Sequence, residues 1–187
     1  MSSKLRTALL VLSTALLLMP AGTVAEGRKA RAPQACADAG LEATQHNLRR
    51  IRAAVLCLHN RIRAAHGLPR LRQNRRLRRA ALGHSRDMVR DGYFAHTTPE
   101  GGTMVDRILR AEYVRNDEGW ALGENLAWGT GSLGTPEGAV DAWMSSPGHR
   151  ANILKKAYRE LGVGVAIGVP LSDAAGATYT VDFGVRR

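Results

Sequence analysis

Leu161-Gly-Val-Gly-Val-Ala-Ile-Gly-Val169 and Ala177-Thr-Tyr-Thr-Val-Asp-Phe-Gly-Val185 are the stretches that decide the fold class. The first alternates glycine with apolar residues. The second sets Tyr179, Val181 and Phe183 on one side, the period of two that belongs to a pleated strand. Pro170 to Gly176 between them is a turn segment, so an antiparallel hairpin is predicted at this end of the domain.

Upstream the period changes to that of helices. Ile51, Val55, Leu58 and Ile62 recur at i, i+4, i+7 and i+11 and predict a helix from about Thr44 to Ala65, stopped by Gly67 and Pro69. A second is expected over Arg75 to Arg90, with Leu77, Ala81, His84 and Met88 on one stripe, and a shorter third over Thr103 to Ala111. After a loop at Asn116 to Gly119, Gly123 to Trp128 is extended. Thr135-Pro136 opens a helix that turns Val140 and Trp143 inward, and Ser146-Pro147-Gly148 opens another that continues to Leu154. Helices first and a hairpin last give an α+β fold rather than a doubly wound sheet.

The 187 residues divide into three expected parts. Lys4 and Arg6, the apolar run Ala8 to Met19, the break at Pro20 and Gly22, and Thr23-Val24-Ala25 have the form of a signal peptide, residues 1–25, with an uncleaved anchor as the alternative. That run is shorter than the roughly 20 residues that span a bilayer, and nothing later resembles one, so no transmembrane segment is expected once it is removed. A short arm, 26–43, then leads to one domain over 44–187, a size that supports a single core. A secreted, extracytoplasmic protein follows. Its two cysteines, Cys36 and Cys57, pair most simply with each other, with a free, buried Cys57 as the alternative.

The net charge is +11, and it is concentrated. Between Arg49 and Arg90 there are 13 arginines against one acid, Asp87. Aromatic residues are almost absent there, so the stacking platforms of single-strand nucleic-acid binding are missing. Most of these arginines are expected on the solvated faces of the first two helices. Outside the cytoplasm, an anionic cell-wall polymer or a lipid headgroup is the partner such a surface suits. A monomer is expected.

Three polar residues sit where local sequence constrains the backbone: His96 just past the second helix, Glu124 inside an otherwise apolar strand, and His149 in the first turn opened by Ser146-Pro147. The helix dipole keeps the His149 ring neutral. Two imidazoles and a carboxylate suit a divalent cation such as zinc, with His96 and His149 as ligands, or an acid/base set. His84 reads as a hydrogen-bonded core histidine, and His46, His59 and His66 as surface or helix-packing residues. Trp128 and Trp143 read as core or cleft-wall residues. Gly129 to Gly134 spells G-x-G-x-x-G without a βαβ unit, so a turn is expected rather than a nucleotide site.

Four segments resemble the bacterial, secreted branch of the CAP superfamily (cysteine-rich secretory proteins, antigen 5 and pathogenesis-related 1 proteins). They are Leu58 to Arg63 with Gly67-Leu68-Pro69; Tyr93-Phe-Ala-His-Thr-Thr-Pro-Glu-Gly101; Gly123-Glu-Asn-Leu-Ala-Trp128; and Trp143-Met-Ser-Ser-Pro-Gly-His-Arg-Ala-Asn-Ile-Leu154. The resemblance implies an α-β-α sandwich with a small antiparallel sheet and a central cleft. It also implies a tetrad of two histidines and two acids, of which His96, Glu124 and His149 match three. Two functions follow as expectations: a binding module for a small ligand, lipid or wall component, or a hydrolase using the same three residues.

Overall fold

A computed structural model describes residues 35–115 and 119–186. The expected signal peptide, residues 26–34 of the arm and most of the loop that starts at Asn116 lie outside the described residues. The elements run α1 (Leu48–Ala65), β1 (Arg72–Gln73), α2 (Arg75–Asp91), α3 (Met104–Arg110), β2 (Trp120–Gly129), a 3₁₀ turn (Gly131–Gly134), α4 (Pro136–Ser145), α5 (Pro147–Leu154), β3 (Glu160–Val169) and β4 (Ser172–Arg186). The fold is α+β, as the sequence predicts.

The sheet has strand order β1-β3-β4-β2. Its long pairs are antiparallel, and only the two-residue β1 lies parallel to β3. Both faces are covered. On one, Ile51, Val55 and Leu58 of α1, Val140 and Trp143 of α4 and Ile153 of α5 pack with Leu161, Val163, Val165, Tyr179, Val181 and Phe183. Each such aliphatic or aromatic side chain stabilises the fold by about 1.5–3 kcal/mol. On the other face α2 lies directly on β3. A Cβ at Gly162 would strike the backbone at Leu77 and Arg78, and one at Gly164 the backbone at Ala81 and Leu82. The valine–glycine alternation of the hairpin is therefore two-sided: valines fill one core, and glycines flatten the other face so that a helix can settle on it.

Local sequence explains the helix ends. Asn74 caps α2, its side chain accepting from the amides of Arg76 and Leu77, and left-handed Gly92 terminates it. Thr103 and Asp106 form a reciprocal capping box on α3. α1 starts at Leu48, later than the apolar period suggests, because residues 44–47 form a turn held by the side chain of Asn47. Most of the segment expected as the hairpin turn belongs to β4, which begins at Ser172. β1 was not legible at two residues. Cys36 and Cys57 form a disulfide across 21 residues, and the Arg50–Asp38 ion pair adds a second tie between α1 and the preceding segment.

Not every arginine of the basic stretch is solvated. Arg63 is fully buried and donates to the carbonyls of Pro69, Ile153, Lys155 and Tyr158, tying α1 to the α5–β3 connection. His59 is likewise fully buried, between the rings of Trp143 and Phe183. Its Nδ1 donates to the Val55 carbonyl and its Nε2 has no partner among the described residues. Burial, the largest effect, pushes its pKa down to about 4. An unfolded histidine titrates near 6.5. As pH falls from there toward 4, the unfolded chain takes up a proton that the native core refuses, so native stability is lost across this window, by about 3 kcal/mol in all. In urea titrations between pH 4 and 7, His59→Phe should flatten this loss. An unchanged slope would show that His59 does not cause it.

Candidate functional site

β2 is an edge strand, and consecutive residues at its middle serve opposite faces. Glu124 pairs in register with Asp182 and Asn125 with Val181 on β4. Asp182 neighbours Gly162 across the other register, which puts the Glu124 side chain on the α2 side. Gly123 makes room for the support behind the strand. A Cβ there would collide with the Tyr158 hydroxyl and the Asn152 amide, which donate to the carbonyls of Leu122 (2.6 Å) and Glu124 (3.1 Å).

The Glu124 carboxylate is nearly out of water, with 2% of its side chain exposed, and both oxygens are taken. His96 Nδ1 donates to Oε1 at 2.8 Å, and Arg107 Nη2 donates to Oε2 at 2.6 Å. The same guanidinium donates to the carbonyls of His96 (3.1 Å) and Gly102 (3.3 Å), so Arg107 fixes both the acid and the loop that carries the imidazole. Burial is the strongest influence on Glu124 and opposes its ionisation. The hydrogen bond from His96 and the charges of Arg107 and His84 outweigh it and hold the carboxyl below its ordinary value. With Nδ1 committed to Glu124, the imidazole of His96 presents Nε2 on a side chain that is 57% exposed.

His149 stands in the first turn of α5, behind Pro147 at the first helical position. Its backbone carbonyl accepts from Asn125 Nδ2 at 3.0 Å, and Asn152 Nδ2 donates to Asn125 Oδ1 at 2.9 Å. Glu124 and His149 are thus joined through one amide pair wrapped around the edge strand. The His149 pKa lies below the usual histidine value, chiefly through burial and secondly through the charge of His96, which places the two rings within electrostatic reach. Ser146 makes no side-chain capping bond.

His84 is a buried histidine bonded to the Ala95 carbonyl (2.9 Å), as expected. Trp143 is in the core, donating to the Leu126 carbonyl, whereas Trp128, expected in a core or cleft wall, is 43% exposed. Sequence reasoning passed over Arg107, Asn125, Asn152 and Asp182. An arginine on a short capped helix reads as solvated until its partner is known, and an asparagine beside a candidate acid carries no spacing signal of its own.

Zinc fits this donor set poorly. Catalytic zinc takes three protein ligands. His96 and His149 supply two, and the Glu124 carboxylate is 2% exposed with each oxygen already accepting from His96 or Arg107. Among the described residues, no three His, Cys, Asp or Glu side chains are grouped to hold a metal ion. A recess of about 1080 Å³ lies elsewhere, between residues 35–38 and α1.

A sequence profile of the cysteine-rich secretory protein family (CAP) matches residues 56–182. The chain is 37% identical over 111 residues to the "Uncharacterized membrane protein YlbC" of Bacillus subtilis (strain 168), a match covering 59% of this chain and 30% of that one. Among solved structures, an extracellular protein containing a SCP domain from Bacillus anthracis str. Ames superposes with a TM-score of 0.60 at 32% identity, over 78% of this chain and 44% of that one. An outer surface protein from Borrelia burgdorferi shares the fold at 19% identity, with a TM-score of 0.61, over 79% of this chain and 99% of that one. The chain spans less than half the length of the first two of these relatives. Among the described residues, no helix is long and apolar enough to cross a membrane.

Removing the Arg107 cation strands a buried charge. Arg107→Met should cost about 3–5 kcal/mol at pH 7, as for other broken buried ion pairs. The Glu124 pKa is lowered in the native state, so the wild-type benefit is present above the ordinary glutamate range and fades as pH falls. The cost should therefore shrink toward pH 4. Denaturation at the two pH values checks this.

Proposed function

The chain belongs to the cysteine-rich secretory protein (CAP) family, and on that premise we propose that it is a secreted binding module. Its His96/Glu124/His149 site takes a small polar ligand or a segment of a cell-wall component. The observation that carries this reading is the burial of Glu124 with a strong donor on each oxygen. A general base must reach a water and accept its proton. This carboxylate is buried, accepts from His96 and Arg107, and is held in the charged state by them. What remains for a ligand is the pair of imidazoles, His96 exposed and oriented, His149 half-buried and neutral. Such a pair recognises hydroxyl, amide or phosphate groups through hydrogen bonds.

The rest of the molecule supports an extracytoplasmic setting. The disulfide suits an oxidising compartment, and residues 1–25 have the form of a cleavable leader. On α1 and α2 the charges of Arg49 and Arg78 act on Arg52, a mutual repulsion that an anionic wall polymer or headgroup would relieve. Hydrolysis is the second reading. One observation favours it: an imidazole aligned by a buried carboxylate is how a histidine base is commonly oriented. It would place the proton-accepting role on His96 Nε2.

Binding of the mature, disulfide-bonded domain to soluble peptidoglycan and teichoic-acid fragments separates the two, with product release followed in the same samples. Binding without turnover is expected, weakened about tenfold or more by His96→Ala and by His149→Ala. Turnover that disappears in His96→Ala would establish the hydrolase instead. Failure to bind any wall fragment or an anionic vesicle at physiological salt would remove the binding reading.

A further inference from the structure

Asp182 lies on β4 directly across from Glu124, with Gly162 of β3 on its other side. It is fully buried, and neither carboxyl oxygen has a donor among the described residues. Around it, β2 contributes Glu124 and α3 contributes Arg107. The overlying α2 contributes His84, whose charge acts on Glu124, and Ser85, whose hydroxyl donates to Thr180. β3 contributes only a glycine. Arg107 is the one permanent cation in this set, and its Nη2 is bonded to Glu124 rather than to Asp182.

Counting donors decides which carboxyl is charged. An ionised carboxylate requires donors, and its burial without them is among the costliest events in folding. Glu124 has two strong ones, His96 and Arg107. Asp182 has none. A neutral carboxylic acid needs only an acceptor for its own O–H, and the adjacent Glu124 carboxylate supplies one. Two carboxylates side by side share a single cation poorly, so one of them takes a proton. We infer that Asp182 carries that proton and donates its O–H to Glu124, forming a buried acid pair with one negative charge. Asp182 is then a positioning residue. It gives Glu124 a third donor and helps hold the carboxylate in the orientation that aligns His96. Burial, first, and the charge of Glu124, second, raise the Asp182 pKa well above the usual aspartate value, against the pull of Arg107. This inference concerns the charge state of the site and stands whether the site binds or hydrolyses.

A carboxyl whose native pKa is raised contributes stability that is intact below about pH 4 and is lost as pH climbs toward the native value. Asp182→Asn removes this titration while keeping an N–H that can donate to Glu124. Comparing unfolding of wild type and Asp182→Asn, in the full disulfide-bonded chain from pH 4 to 8, tests it. The variant should gain on wild type as pH rises, by about tenfold in the folding equilibrium per pH unit until the native pKa is reached. Carboxyl-carbon NMR of the wild type gives a reading that needs no variant: the Asp182 Cγ should keep the shift of a protonated acid at pH 7. The His96 imidazole nitrogens should keep their tautomer in Asp182→Asn and lose it in Asp182→Leu. An ionised Asp182 at pH 7, or a stability difference that stays flat across the range, would overturn the inference.

Discussion

A carboxylate removed from water must keep its donors, and this demand on Glu124 organises the candidate site. Arg107 answers it from α3 and His96 from the loop after α2. The donor from α3 also holds the carbonyls of that loop, so the helix, the loop and the edge strand are joined through one guanidinium. Behind the strand, Asn152 and Asn125 carry the connection to His149 on α5. The imidazole of His96 is held at Nδ1 by Glu124, and the backbone of His149 is held by Asn125. Each is set by groups that are themselves buried or hydrogen-bonded.

The same demand limits the chemistry. Charge stabilisation and water activation are competing uses of one acid. Two short bonds to donors lower the basicity of a carboxylate, and burial keeps solvent from reaching it. A family fold supplies a scaffold, not a reaction, and in the binding reading proposed for this chain the local electrostatics serve recognition. The protein also holds two buried titrating groups of opposite sense. His59 makes the native state refuse a proton at acidic pH, while Asp182 makes it retain one at higher pH. Native stability is thereby pressed from both sides of the pH scale.

Much of the fold was legible because periodicity and punctuation agree. The glycine–valine alternation of residues 161–169 announced a strand, and Thr135-Pro136 and Ser146-Pro147 stand where helices begin. His96, Glu124 and His149 were legible as polar residues on constrained backbone, and the family resemblance reinforced them. Arg107 and Asp182 were not, for a physical reason. An arginine among many arginines and an aspartate in an alternating strand have solvated readings that sequence alone prefers. Only the register of β2 on β4 and the packing of α3 reveal that both are buried beside the same glutamate. Trp128, a large aromatic near the end of β2, is 43% exposed although its neighbours Glu124, Asn125 and Leu126 on the same strand are buried.

The disulfide between Cys36 and Cys57 has a mechanical meaning. Any tension applied to the chain ahead of Cys36 bypasses residues 37–56 and enters α1 at its midpoint, beside Leu58 and His59 in the core. A pull from that direction cannot peel away the preceding turn and the first half of the helix one contact at a time. It must load the sheet and three helices together, as a rivet passes force to the whole plate rather than to its rim.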